Sequence, residues 1–453
     1  MTISRRSLLR LAAGGSAAAA LSQLTLASAM ADTSTYRAMV GVFLFGGNDA
    51  WNMVVPTDGR YATYASQRGS GIALQQSSLV PLTGTPFGLH PSFDTLKPAW
   101  DEGALGVVLN AGTLFQPLTK SLYTSRPDLR PLNLLSHDDQ QNQWQGGRMR
   151  ATNVDGFMGR MNDRAEKANL PPLISIAGSH LALIGDRTAP LVLPSSGAIS
   201  RYGYNAASTD PATKARQAAL DVFADGSSYG AVTDLTGKGI SSAYAQAVAA
   251  NTVVSATTSV VDKFFVNPTT GVALTSEISR QLLRAARMIE ARASLGHAKQ
   301  TFFVSQGGYD THVGQLGSHI NLYRDLSMAL AGFYNAMKAL GLGNNVTAFT
   351  MSDFGRVFKG NTQAGTDHAW GSNHLVLGAA LAKGKIHGRY PDMSFGGPED
   401  SANDGRWIPS IATEEYLGAI AQWYGVSAAD LPYIFPNWST WNGGGRGPVP
   451  MFG

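Results

Sequence analysis

The sequence contains no cysteine among its 453 residues. That absence excludes disulfide bonds and thiolate ligands, so any metal must be held by oxygen and nitrogen atoms. Charged residues are also scarce, at 15% of the chain, against a hydrophobic share of 44%. A chain of this length and composition can bury a large core and form one large domain or two ordinary ones.

The sequence also lacks a large excess of basic over acidic residues, although the formal net charge of the whole chain is +4. Arg5, Arg6 and Arg10 lie in an N-terminal segment that we expect to be removed, and every acidic residue lies at or after Asp32. Of the 35 basic residues 32 then remain, against 31 acidic residues. Such a balance argues against nucleic acid as an obligate partner, because that binding requires a concentrated basic surface.

The N-terminal segment has the features of an export signal. Arg5 and Arg6 directly precede an apolar stretch that is too short and too mildly apolar for a stable membrane span. Small residues up to Ala29 and Ala31 fit a cleavage site. A general secretory signal or an N-terminal anchor is the alternative, but the arginine pair favours twin-arginine export. We therefore predict a signal peptide over residues 1–31, the twin-arginine machinery as a partner, and a periplasmic or secreted protein without a membrane span.

Five uninterrupted apolar runs indicate strands that are buried on both faces, as in a parallel sheet. The runs lie at residues 38–45, 105–109, 172–176, 301–304 and 346–350. Apolar residues at helical spacing predict helices over 276–293 and 319–340, and a third helix that Thr413 caps and Gly425 ends. This alternation predicts an α/β fold with a large, mostly parallel central sheet and helices on both faces.

We expect residues 32–453 to form a single domain. The stretch from about 180 to 270 has a different composition, rich in Ala, Ser, Thr and Gly, with weak periodicity. We interpret that stretch as a cap-like excursion from the sheet rather than as a separate domain.

Three of the predicted strands are followed by a polar segment that contains a carboxylate. The three acids are Asp49, Asp310 and Asp353. Because open α/β sheets bind their ligands at the carboxyl ends of the strands, we expect these acids to lie close together. His312 follows Asp310 at a spacing of two, which places both side chains on one side of an extended segment. The structural alternative for such acids is a turn or a helix cap.

The densest group of polar side chains lies in residues 365–374. It contains an acid and two histidines, Asp367, His368 and His374. A single histidine is more often structural, but two of them with an acid in a loop broken by glycines favour a ligand site. Which histidine is the ligand stays open. We predict one or two divalent metal ions (Zn, Mg, Ca or Mn) and the following ligands: Asp49, Asp310, His312, Asp353, Asp367, His368 and His374.

Catalytic candidates lie beside these acids. Ser136 can cap a helix, or it can direct its hydroxyl at an anion held by the helix N-terminus and act as a nucleophile; the sequence leaves both roles open. Arg356 can pair with Asp353, or it can hold an anionic substrate, because a guanidinium matches phosphate and sulfate oxygens. Asn52 and His137 are candidates for substrate binding.

Several segments resemble the signature segments of the DUF1501 family, over residues 36–438. They are Gly-Gly-Asn-Asp at 46–49, Ser-His with Gln140 and Trp144 at 136–144, Gly-Gly-Tyr-Asp-Thr-His at 307–312, Ser-Asp-Phe-Gly-Arg at 352–356, Gly-Thr-Asp-His-Ala-Trp-Gly at 365–371, Gly-Arg-Trp-Ile-Pro at 405–409 and Trp-Tyr-Gly-Val at 423–426. The resemblance implies a relation to the alkaline phosphatase and sulfatase superfamily, whose large α/β sheet carries metals at its strand ends. Many family members are similarly exported by the twin-arginine route.

The resemblance also implies roles for individual residues. Asp49 and Asp353 would ligate metal, Asp310 and His312 would form a second cluster, His368 or His374 would supply a late histidine, and Ser136 would be the nucleophile. Two departures from the superfamily pattern stand out: Phe354 replaces a histidine, and only one residue separates Asp310 from His312. These two departures leave open one metal rather than two, or an altered reaction.

These observations lead to a first hypothesis, an exported metal-dependent hydrolase of a phosphate or sulfate ester. Its substrate would be an anionic small molecule or polymer. The alternative is a non-catalytic relative that serves as an envelope assembly, secretion or polymer-binding partner, which the departure at Phe354 favours. A redox or other cofactor protein is a third and weaker hypothesis, and the sequence predicts no oligomeric state.

Overall fold

The structure is a computed structural model, and it describes residues 36–164, 172–199, 205, 207–225, 231–255, 259–381 and 386–453. The predicted signal peptide, residues 1–31, lies outside these residues. Within them, no helix combines the length and the apolar character that crossing a membrane requires.

The described residues form strands, helices and short 3-10 turns. The strands are β1 Arg37–Leu44, β2 Val54–Pro56, β3 Val80–Pro81, β4 Phe87–Leu89, β5 Leu105–Gly112, β6 Leu173–Ser175, β7 Leu191–Val192, β8 Lys299–Gln306, β9 Val346–Ser352, β10 Ser372–Leu377, β11 Ile386–Gly388 and β12 Ile411–Ala412. The helices are α1 Ala50–Met53, α2 Arg60–Arg68, α3 Lys97–Asp101, α4 Lys120–Ser125, α5 His137–Gly146, α6 Phe157–Asp163, α7 Pro211–Asp225, α8 Ala231–Val254, α9 Glu277–Glu290, α10 Gln315–Ala339, α11 Thr413–Tyr424, α12 Leu431–Ile434 and α13 Trp438–Trp441. The 3-10 turns are Gln76–Ser78, Pro91–Leu96, Pro127–Leu129, Leu181–Leu183 and Asp262–Phe264.

The large sheet has the strand order β11-β5-β10-β9-β1-β8-β6-β7, and β12 pairs with β5. Every neighbouring pair in it is parallel except those of β10, which runs antiparallel to both β5 and β9. The five predicted strands are β1, β5, β6, β8 and β9, so the mostly parallel sheet is confirmed. Strand β10 was not predicted, and it includes the last residues of the segment 365–374.

Both faces of the sheet are covered, as predicted. Val40 and Val42 of β1 point into one cluster of buried apolar side chains, which also takes in residues from helices α9 and α10. Met39 and Phe43 point to the opposite face, into a cluster with residues from α6 and α11. Because side chains alternate along a strand, an uninterrupted apolar run is what burial on two faces requires.

Helix boundaries follow the expected capping chemistry in part. Ser276 caps α9 with its side chain, close to the predicted start. Helix α10 begins at Gln315, four residues earlier than the predicted residue 319. The prediction that Thr413 caps α11 is wrong, because Thr413 is already helical and Ala412 is the cap; its N–H donates to Glu415 Oε2 at 2.8 Å. Helix α11 ends at Tyr424, and the predicted stop Gly425 is its C-cap, with a φ of 105° in the left-handed region.

Among the described residues from about 180 to 270, strand β7 pairs with the large sheet. Helices α7 and α8 then pack against each other, and α8 also contacts α9. Asn251 of α8 anchors the pair by exchanging hydrogen bonds with the backbone of Ile199. The interpretation of this stretch as a cap stays a prediction.

Glu414, in the first turn of α11, makes the stability of the protein dependent on pH. Its side chain is buried, Oε2 accepts a hydrogen bond from Thr413 Oγ1 at 2.8 Å, and burial raises the pKa of Glu414 from 4.5 to about 7. Between these pH values the folded state binds more protons than the unfolded state, so stability falls as pH rises. We expect a loss of about 3 kcal/mol over that window, and Glu414→Gln should remove this part of the slope. Denaturant unfolding at several pH values checks it; equal slopes in both proteins would contradict it.

Candidate metal centre

The site lies at the carboxyl edge of the large sheet. Strands β8, β1 and β9 end side by side there, since Leu44 pairs with both Gln306 and Ser352. The segments that follow these strands therefore leave the sheet together. Because β10 is antiparallel, the loop that precedes it arrives at the same edge.

Backbone hydrogen bonds join these segments. Gly355 donates to the carbonyl of Trp370 at 2.9 Å and accepts from Ala369 at 3.0 Å, so the segment after β9 pairs with the loop before β10. Thr366 donates to the carbonyl of Thr311 at 3.1 Å, which fastens the same loop to the segment after β8. The connections bring together five predicted residues: Asp310, His312, Asp353, Asp367 and His368.

Three of the side chains form a compact group of potential metal ligands. Ligand atoms of His137, Asp310 and His368 all lie within 4.8 Å of one another. His368 Nε2 lies 3.1 Å from His137 Nε2 and 3.2 Å from Asp310 Oδ1, and His137 Nε2 lies 3.5 Å from Asp310 Oδ1. His312 Nε2 adjoins the same group, 3.0 Å from Asp310 Oδ1 and 3.1 Å from His368 Nε2. His137, predicted to bind substrate, is thus placed among the potential ligands.

The other ring nitrogen of each histidine is bound to an acceptor outside the group. His368 Nδ1 lies 3.0 Å from the carbonyl oxygen of Leu135, which can only accept, so Nδ1 carries the proton. His137 Nδ1 donates to Asp353 Oδ2 at 2.6 Å, and His312 Nδ1 donates to an oxygen of Asp367 at 3.0 Å. In the neutral form each Nε2 therefore has a lone pair, and the three lone pairs converge on a carboxylate oxygen.

This arrangement fits a divalent metal. Facing lone pairs repel one another unless a cation or additional protons lie between them. Histidine ligands of a metal usually donate their second N–H to a carboxylate or carbonyl, as all three do here. The spacings of 3.0 to 3.5 Å also match the roughly 3.3 Å between ligand atoms of a tetrahedral zinc site. The donor set of nitrogen and oxygen agrees with the absence of cysteine.

The local electrostatics favour the protonation states that metal binding requires at His368 and Asp310, but oppose the neutral state at His137. Burial lowers the pKa of His368, which keeps that ring neutral. Burial opposes ionisation of Asp310, but the hydrogen bond and charge of Arg356 outweigh it, so the pKa of that carboxyl lies below its usual value. The hydrogen bond to Asp353 raises the pKa of His137, so a metal must displace a proton from this ring at acidic pH.

Asp353 and Asp367, predicted as ligands, lie behind the histidines. Asp353 is fully buried, and its Oδ2 also accepts from Gln141 Nε2 at 2.9 Å and from the N–H of Gly46 at 3.2 Å. Asp367 is exposed and pairs with His312. Both carboxylates orient an imidazole in this structure rather than joining the group of ligand atoms.

Asp49 and Asn52 are not part of the group of ligand atoms. Asp49 is buried in an ion pair with Arg68 of helix α2, so its charge is already matched. Asn52 donates to the carbonyl of Ile72 at 2.7 Å and accepts from the hydroxyl of Tyr64 at 2.7 Å. Both side chains are buried and bonded to protein groups.

His374 also lies away from the cluster. It is the third residue of β10, and its ring packs between Trp144 and Tyr416, with centroids at 4.9 and 5.5 Å. Burial there lowers the pKa of His374 to about 3. Of the two histidines in 365–374, the structure therefore brings only His368 into the cluster.

Arg356 and Ser136 have structural partners. The side chain of Arg356 is fully buried, and its guanidinium donates to Asp310 Oδ1 at 2.8 Å, to the carbonyl of Gly46 at 3.3 Å and to Thr366. In this conformation it fixes Asp310 and does not reach a substrate. Ser136 is the N-cap of α5, accepting from the N–H of Asp139 at 3.5 Å. Ser136 directly precedes His137 in the chain, next to the cluster. Its role as a nucleophile stays a prediction.

Two supports of the histidines were not predicted. The ring of Phe354 packs against both His137 and His368, with centroid distances of 4.8 Å to each. Gly47 makes room for that ring, since its φ is 80° and an added Cβ would lie 2.4 Å from Phe354. Leu135, whose carbonyl holds His368, has a φ of 78°, a strained value for a bulky residue. The neighbours of Leu135 are Leu134 and Ser136, so no adjacent glycine or proline signals this turn in the sequence.

The fold and the site together define an α/β protein with a mostly parallel sheet and a cluster of histidines and a carboxylate at its carboxyl edge. The chain matches the family DUF1501, a protein family of unknown function, over residues 36–403, and it belongs to that family. The match includes all residues of the cluster, whereas the segments 405–409 and 423–426 lie beyond it. No curated protein matches the sequence.

Proposed function

We propose that this protein is a metal-dependent hydrolase of a phosphate or sulfate ester. The supporting observation is the convergence of histidine Nε2 atoms on Asp310 Oδ1, with each Nδ1 proton fixed by an acceptor outside the group. The relation to the alkaline phosphatase and sulfatase superfamily is part of the proposal, and so is the ester substrate; both rest on the resembling segments.

The protein would hold the metal through His137, Asp310 and His368, with His312 as an additional ligand. Asp353 and the carbonyl of Leu135 fix the tautomers of two of these histidines, and Arg356 keeps Asp310 ionised. A bound divalent metal supplies positive charge that stabilises the negative charge developing on the ester oxygens. The side chains then need little rearrangement, because their orientations are already set.

The nucleophile in this proposal is Ser136 or a water molecule. Ser136 stands at the N-terminus of the ten-residue helix α5, where backbone N–H groups favour an anion. The cluster is open to solvent, since the side chains of Asp310 and His312 are 47% and 40% exposed. An open site admits a bulky substrate, so small-molecule and polymeric esters are both candidates.

Elemental analysis followed by an ester screen on the same protein tests this proposal. We expect a bound divalent metal and turnover of a phosphate or sulfate ester that is lost on chelation and restored by the metal. Ser136→Ala should lower the rate by orders of magnitude if Ser136 is the nucleophile, and leave it nearly unchanged if water is. A folded protein that takes up no divalent metal from solution would rule out the proposed function.

Export by the twin-arginine route is a separate part of the proposal and rests on Arg5 and Arg6. We expect replacement of both by lysine to keep the protein in the cytoplasm as an uncleaved chain. Cell fractionation with N-terminal sequencing checks this, and unchanged export of the double variant would point to a general secretory signal instead.

A further inference from the structure

The cluster of ligand atoms does not account for Asp49, a buried charge in a segment that resembles the family. Its side chain is fully buried, and Oδ2 accepts from Arg68 of α2 and from Gln315 Nε2 of α10. Burying a charged pair costs free energy that apolar side chains of the same size would avoid. The position of this pair next to the site therefore calls for a role beyond stability.

A continuous path of hydrogen bonds connects Asp49 with the cluster. Gln315 turns its Nε2 to Asp49, so its Oε1 faces the other way and accepts from the hydroxyl of Thr366. The same hydroxyl oxygen accepts from Arg356 Nε at 3.2 Å, and Arg356 donates to Asp310 Oδ1 at 2.8 Å. The ionised carboxylate of Asp49 can only accept a hydrogen bond, so Nε2 of Gln315 faces Asp49 and Oε1 faces Thr366.

Gln315 also joins the two loops that carry the ligands. Its Oε1 accepts from Thr311 Oγ1 at 3.1 Å, and Thr311 lies between Asp310 and His312 in the chain. Thr366, the second hydroxyl on the same oxygen, lies two residues before His368. The side-chain amide of Gln315 thus adds to the backbone hydrogen bond from Thr366 to Thr311 in holding the two loops together, and Asp49 orients that amide.

We propose that Asp49 and Gln315 are positioning residues of the metal centre, which set the distance between its two ligand-bearing loops. Asp49 orients the amide of Gln315, and that amide fixes Thr311, Thr366 and, through Thr366, Arg356. Loss of these side-chain contacts leaves the two loops joined by backbone hydrogen bonds such as that from Thr366 to Thr311, so the distance between Asp310 and His368 becomes less strictly fixed. The inference rests on the proposed metal centre, but it concerns how tightly the metal is bound rather than which reaction follows.

The test is a titration of the full-length mature protein with Co²⁺, which reports affinity and, through its visible absorption, ligand geometry. Gln315→Met keeps the approximate size of the side chain but removes both the Nε2 donor to Asp49 and the Oε1 acceptor for Thr311 and Thr366. We expect it to weaken Co²⁺ binding by roughly 10- to 100-fold, as loss of outer contacts usually does, and to change the absorption spectrum.

Gln300→Met is the matched control. Gln300 is equally buried, accepts from the hydroxyl of Tyr36 and donates to the carbonyl of Met288 at 3.1 Å, but it lies near the start of β8, away from the carboxyl edge. It should lower stability without changing Co²⁺ affinity or spectrum. A purely structural role for Gln315 would give the same result in both variants.

A second pair of variants applies if Gln315→Met does not fold. Thr366→Val removes the hydroxyl and keeps the shape, whereas Thr366→Ser keeps the hydroxyl; only Thr366→Val should weaken Co²⁺ binding. Wild-type affinity and spectrum in Gln315→Met, or in Thr366→Val where that variant stands in for it, would overturn the inference and leave the metal centre intact. No Co²⁺ binding by the unsubstituted protein would overturn both the metal centre and the inference.

Discussion

His368→Ala should abolish divalent-metal binding and, with it, ester hydrolysis. His368 Nε2 lies within 3.2 Å of both His137 Nε2 and Asp310 Oδ1. Its removal therefore takes away the potential ligand atom that lies closest to both of the others in this group. The loss of metal removes several kcal/mol of transition-state stabilisation, which corresponds to roughly a thousandfold or more in rate. Metal content by elemental analysis and turnover of the ester found by screening measure the two effects.

The control for this variant is His387→Ala. His387 lies in strand β11 at the edge of the large sheet, away from the site. Its replacement should leave metal content and rate unchanged. If His368→Ala keeps its metal and its rate, the cluster is not the functional centre, and the proposed function would have to be abandoned.

Arg68→Met should cause the largest loss of stability of any single replacement considered for this protein. The side chains of Arg68 and Asp49 are both fully buried, and Arg68 also donates to the carbonyl of Phe358 at 3.1 Å. Methionine fills much of the space but leaves the charge of Asp49 without its partner. Removing one member of a buried ion pair typically costs about 3–5 kcal/mol, which denaturant unfolding would measure.

Two companion variants separate charge from packing. Arg60→Met affects an ion pair of the same helix α2, but the pair of Arg60 with Asp58 is exposed, so the loss should be much smaller. Adding Asp49→Leu to Arg68→Met removes the unmatched charge and should recover part of the stability. A loss of the same size in Arg60→Met and Arg68→Met would show that burial of the pair is not the cause.

The sequence was sufficient to predict the sheet and the edge at which the site lies. Uninterrupted apolar runs predicted the five main strands, and the strand-end rule placed Asp310 and Asp353 near one another. His312 and His368 were predicted from their density with acids in short polar segments. These features are local, so they can be read from neighbouring residues.

The sequence-based expectations and the observed contacts differ where long-range partners surround a residue. Asp49 follows a strand end as Asp310 does, but it forms a buried ion pair with Arg68 of helix α2. Arg356 was considered for Asp353 or a substrate, whereas its partner is Asp310, 46 residues away. His374 belongs to a short antiparallel strand, β10, whose apolar run is too brief to separate from the preceding loop. None of these pairings has a local signal.

The cluster joins residues that are made at very different times during synthesis. His137 and His368 are 231 positions apart, and His368 and Asp310 are 58 positions apart. Strand β10, which begins four residues after His368, pairs with β9 and β5 in the large sheet. The centre therefore cannot exist on a ribosome-bound fragment that ends before β10. The proposed metal would then be loaded only after most of the chain has been made, so the compartment in which folding finishes would decide which ion is available to the cluster.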